Sequence, residues 1–144
     1  MSQLLTILQT VGILITPVIT LTGFILLYRQ IKAGANAALY NEQNVIHQFF
    51  LANPGISPYF YGKKSIAPSS EDYVKVMLAA EMLGDFFEHI YLQKANLPRK
   101  IWPGWRNYMN YLYEHSPALQ LHFSENRKWY GQKFIGILKY SDSQ

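Results

Sequence analysis

Residues 4–28 read LLTILQTVGILITPVITLTGFILLY, 25 residues without a charge. As an α-helix rising about 1.5 Å per residue they would extend roughly 37 Å, enough to cross a bilayer core with some tilt. None of the 13 Lys and Arg or 9 Asp and Glu residues lies in positions 1–28, so the 49% hydrophobic composition averages two different materials. A cleaved signal peptide fits less well. There is no basic residue ahead of the run, the run is too long, and Arg29 and Lys32 separate it from the small-residue site Ala35-Asn36-Ala37. The stretch therefore reads as a membrane-spanning anchor. With an uncharged Met1-Ser2-Gln3 before it and Arg29 and Lys32 after it, the positive-inside rule puts the N-terminus outside and the rest in the cytoplasm. The expected location is integral to a bacterial plasma membrane or an internal membrane.

At about 100° per residue, Gln9, Gly12, Thr16, Thr20 and Gly23 fall on one side of this helix. Small and polar residues let another helix approach closely, so the stripe reads as a contact face for a second transmembrane helix, from the same protein or from a membrane complex. Threonine hydroxyls can instead bond back to their own helix. Pro17 deletes one backbone donor mid-run and is expected to kink it.

Beyond the anchor and its basic flank (residues 1–32), a domain is expected at 33–140 and a polar tail at 141–144. Helical spacing resumes from Ala35 to Asn53, with Ala38, Leu39, Val45, Ile46, Phe49 and Phe50 on one broad face, and the anchor can run straight into it. Asn53-Pro54-Gly55 breaks it. The connection 54–70 holds three prolines, with Tyr59, Phe60 and Tyr61 expected to pack and not to hang free. Ser69-Ser70-Glu71-Asp72 is a helix start, and Val76, Ala79, Leu83, Phe86, Phe87 and Ile90 then form an apolar face as far as Lys94. A third helix begins near Pro103, and a fourth is expected from Ser116-Pro117 to about Lys139. The fold class is all-α, a bundle of about four helices following the anchor, with 15% aromatic residues to fill its core.

With no cysteine, the chain has no disulfide scaffold, thiolate metal site or cysteine nucleophile. No phosphate-binding glycine loop, nucleophile elbow or His-Glu-x-x-His motif is present. The strongest chemical candidate is Glu81, Asp85, Glu88 and His89, whose spacings bring three carboxylates to one helical face with an imidazole at its edge. Such a set could hold a divalent metal in a small cofactor-dependent enzyme. The plainer reading is a solvated face opposite the apolar one, and neither copy of the Glu-x-x-His pair used by di-iron bundles occurs. His47, His115 and His122 are scattered, without metal spacing. Lys63 and Lys64 in the connection, and Arg127, Lys128 and Lys133 among aromatics near the end, are candidate contacts for anionic lipid or a protein partner and not for nucleic acid. Trp102, Trp105 and Trp129 read as core or edge anchors, the alternative being the lining of a lipid, quinone or pigment groove. No cofactor is expected.

The apolar N-terminus, the Asn53-Pro54 break, Glu81 amid aliphatics and the late Trp105…Ser116-Pro117…Trp129 run resemble a group of bacterial single-pass membrane proteins of unknown function with a small cytoplasmic helical domain. The resemblance implies no activity. The expectation is a non-enzymatic interaction domain acting as an accessory, assembly or regulatory subunit or as a homo-oligomer.

Overall fold

Proline stops the longest helix of this chain and opens several of the others. The computed structural model describes residues 2–139, apart from the side chains at positions 2–12, 14 and 139. Helix α1 spans Ser2–Ala52 and ends where Asn53 and Pro54 cannot continue it. A 3-10 turn (Pro54–Ile56) and the one-turn helix α2 (Pro58–Tyr61) follow, then α3 (Tyr73–Gln93), α4 (Trp102–His115) and α5 (Pro117–Glu125). A second 3-10 turn (Arg127–Trp129) leads to α6 (Gln132–Lys139), and the described residues contain no strand.

The chain divides into two compact units, Met1–Gly34 and Ala35–Gln144, with the boundary inside α1. The second unit holds the core. From α1 it takes Leu39, Ile46 and Phe50, which recur at helical spacing. Helix α3 buries Val76, Ala79, Ala80, Leu83, Phe86, Phe87 and Ile90 and packs on α5, which also meets α4 and α2. The 54–70 connection packs in part: Ile56, Tyr59 and Phe60 are buried, and Phe60 meets Phe50 edge-on at 5.1 Å, whereas Tyr61 is 40% exposed. Ser116 fixes the α4–α5 corner. Its hydroxyl accepts from the Leu119 amide at 3.1 Å, capping α5, and donates to the Tyr59 carbonyl at 3.0 Å.

The first unit is different in kind. Described side chains from Ile13 to Ile31 include eleven large apolar residues, each 49% to 72% exposed. At about 100° per residue they surround the helix, leaving no gap wider than about 80°.

The membrane-spanning anchor expected at residues 4–28 is corrected here, together with the location integral to a membrane with its N-terminus outside. Among the described residues, no helix is long and apolar enough to cross a membrane. Thr16, Pro17, Thr20, Thr22 and Gly23 dilute the aliphatic residues, and Arg29, Gln30 and Lys32 close the run.

One further boundary differs from expectation. The fourth helix does not run from Pro117 to Lys139 but breaks after Glu125 and restarts at Gln132. Between them Tyr130 is extended (φ −109°, ψ 150°), and the Gly131 amide leaves the helical ladder for the Glu88 carboxylate, 2.6 Å away.

Candidate functional site

The acidic face of α3 is not the evenly solvated surface that its spacing suggests. Glu88 accepts the Gly131 amide, and Asp85 accepts a hydrogen bond from the Tyr130 hydroxyl at 3.3 Å. His89 turns the other way. Its Nδ1 lies 2.7 Å from Glu42 Oε2 on α1, and its Nε2 is 3.4 Å from the Gln93 amide nitrogen. Three of the four candidate metal ligands, Asp85, Glu88 and His89, are thus drawn to three different partners, and no group of three or more His, Asp or Glu able to hold a metal occurs among the described residues.

The structure adds a residue that sequence spacing passed over. His122 on α5 is 2% exposed, with Nε2 2.7 Å from the Tyr130 hydroxyl and Nδ1 3.3 Å from the Asn126 amide nitrogen. The partners fix the tautomer: Asn126 can only donate to Nδ1, so Nε2 carries the proton and gives it to Tyr130 Oη, leaving the tyrosine proton for Asp85. The result is a one-way chain from Asn126 through His122 and Tyr130 to Asp85. Burial lowers the His122 pKa, outweighing the opposite pull of Glu81, Asp85 and Glu125. Burial, then the Asp85 carboxylate, pushes the Tyr130 phenol well above its usual value. Both rings therefore stay neutral near pH 7.

Room for this chain comes from Gly84. A Cβ there would lie 2.5 Å from Tyr130 Oη and 3.4 Å from the Phe123 ring, so glycine is required by close approach. The signal available in the sequence was Gly84 beside Asp85 on an otherwise strong helix. Its partner, 46 positions later, was not visible. The arrangement fastens the α5–α6 connection to α3 through Tyr130 on Asp85 and the Gly131 amide on Glu88.

The other candidate residues are dispersed. Lys63 and Lys64 are exposed at the turn after α2, where the Lys63 amide donates to the His115 carbonyl and Lys63 adopts a positive φ of 55°. The Lys64 ammonium lies over the Tyr59 ring at 4.3 Å. Arg127 and Lys128 are exposed on the second 3-10 turn and Lys133 on α6. On the α1 stripe, Gln9 and Gly12 lie outside the described side chains. Thr20 donates back to the Thr16 carbonyl at 2.9 Å, and a Cβ on Gly23 would meet nothing within 4 Å. Of the tryptophans, Trp105 is core and Trp102 half-buried, whereas Trp129 is exposed.

Compared with known proteins, the chain matches no family model, no curated protein and no solved structure. The reading of its function rests on its own residues.

Proposed function

We propose that the chain is a non-enzymatic helical assembly module, whose segment 13–32 is buried against protein in the working state. Its occupant is first of all the same segment of a second copy. An accessory, assembly or regulatory subunit of a larger complex would use the same surface. The observation that carries this is the ring of exposed apolar side chains from Ile13 to Ile31. A helix apolar on all sides is stable only when covered, and among the described residues no helix is long and apolar enough to be covered by crossing a bilayer. Asp85, Glu88 and His89 serve the fold in this reading, because their partners lie within it.

The test is the molar mass of the purified full chain by sedimentation and light scattering, with and without added lipid. The expected result is a discrete multiple of 16.7 kDa that does not change with lipid. The double substitution Leu21→Lys with Phe24→Lys should reduce that multiple to the monomer while leaving the helical content of residues 35–139 intact. A full chain that is monomeric at about 100 μM, a concentration at which contacts of μM affinity are formed, would overturn the proposal, as would a mass that tracks added lipid.

A further inference from the structure

The break between α5 and α6 opens a recess that an uninterrupted helix would not contain. With Tyr130 and Gly131 held on α3, α6 folds back against α4, and the angle between α5 and α6 leaves a cavity of about 200 Å3. Its apolar lining is Tyr113 of α4, Phe123 of α5, and Ile135 and Leu138 of α6. The last three are only 2% to 4% exposed, so the floor is apolar and shielded from bulk water.

Three exposed polar residues, Gln120, Ser124 and Arg127, complete the lining, and no acidic residue is part of it. Gln120 spends its amide protons on the Tyr113 and Glu114 carbonyls, at 2.8 and 3.4 Å, and Ser124 gives its hydroxyl proton to the Leu121 carbonyl at 2.7 Å. Arg127 differs from both. Its guanidinium carries five N–H donors and a permanent charge, and it makes no hydrogen bond or ion pair with any described residue. A single unpaired cation beside an apolar floor sets the chemistry of a guest: acceptor oxygens, one negative charge, and an apolar body behind them. A carboxylate meets the guanidinium fork with two parallel bonds. At about 30 Å3 per water-sized group, the cavity takes about seven such groups.

The geometry points to a binding site for a free fatty acid of medium length, its carboxylate on Arg127 and its chain in the recess against Phe123, Ile135 and Leu138. Tyr113 and Phe123 meet at 6.0 Å with their planes 56° apart, and Ile135 and Leu138 are branched, so the wall suits a flexible aliphatic chain better than a flat ring. A neutral alcohol would leave the guanidinium unpaired, and an amine would bring a like charge to it. A phospholipid with two long chains exceeds the space. The site lies wholly within Ala35–Gln144 and stands whether or not residues 13–32 self-associate.

The experiment follows the methyl signals of the isotopically labelled full chain during titration with octanoate. Ile135→Val identifies the Ile135 signal. That signal should shift saturably, with a dissociation constant below about 1 mM. The isoleucines between Ile13 and Ile31 register separately any loose association of octanoate with that apolar segment. Arg127→Gln removes the charge at an exposed position, so the fold survives, and it should weaken binding at Ile135 by about tenfold or more. Lys128→Gln, equally exposed but outside the recess, should leave the affinity unchanged. An Ile135 signal unmoved at about 5 mM octanoate, well above the affinity stated, would overturn the proposal. So would undiminished affinity in Arg127→Gln, an equal loss in Lys128→Gln, or binding of octanol or octylamine as tight as that of octanoate.

Discussion

Leu26 and Leu83 are the same residue on two long helices, yet the first is 53% exposed and the second 0%. The difference lies in what surrounds each helix. Around α3 the apolar positions recur every three or four residues and α5 packs on them, so the polar positions between are left to grip neighbouring elements through Asp85, Glu88 and His89. Among the described side chains from Ile13 to Ile31 the apolar residues have no preferred side, and a helix of that kind needs a partner on every side. One unit carries its partners within the chain, and the other is read here as taking them from outside.

Core truncation should separate the two units most sharply. Phe87→Ala removes a fully buried ring and should cost about 3–5 kcal/mol in urea unfolding of the domain. If it costs less than about 1 kcal/mol, α3 is not the centre of the core. Next in size are changes at the clamp. Gly84→Ala drives a methyl group against Tyr130 and should cost about 1–3 kcal/mol by overpacking. Tyr130→Phe leaves the His122 proton without its acceptor and should cost about 1–3 kcal/mol. The two effects should fall short of additive when combined, because both act on the same contact.

The pH dependence of stability is a finer probe of the same clamp. An unfolded histidine takes up its proton around pH 6.5, whereas folded His122 resists until lower pH. Between those values the unfolded chain binds more protons, so the stability held by His122 is complete above about pH 6.5 and is lost as pH falls below it. Tyr130 acts at the other end. Its folded pKa lies above the ordinary value near 10, so its contribution is complete below about pH 10 and declines as pH rises further. Unfolding across a pH series should show both arms, with the acid arm reduced in His122→Gln and the alkaline arm reduced in Tyr130→Phe. The smallest effect is expected in the first unit: Leu26→Ala should change the unfolding free energy of the domain by less than about 0.5 kcal/mol, while still weakening association.

The parts of the fold legible in the sequence were those fixed by local chemistry. Asn53-Pro54 stops a helix and Ser116-Pro117 starts one because the missing proline donor and the serine cap act within a few residues. The break at Asn126–Gly131 was not legible, because Glu88 and Asp85, more than 40 positions away, hold the Gly131 amide and the Tyr130 hydroxyl. The same kind of long-range contact explains why Asp85, Glu88 and His89, with metal-like spacing on α3, serve separate neighbours. Residues 4–28 were misread for another reason. An absence of charge was taken as sufficient, although threonine, proline and glycine interrupt the apolar character of the described part.

Hydrogen exchange at the amides of Ile13–Ile31 in the full chain tests the central claim most directly, because a helix covered by protein opens only with the assembly that covers it. The account predicts protection of about a hundredfold or more that falls as the protein is diluted, since isolated helices of this length are marginal in water. Exchange near the rate of an unprotected chain at every concentration would contradict it.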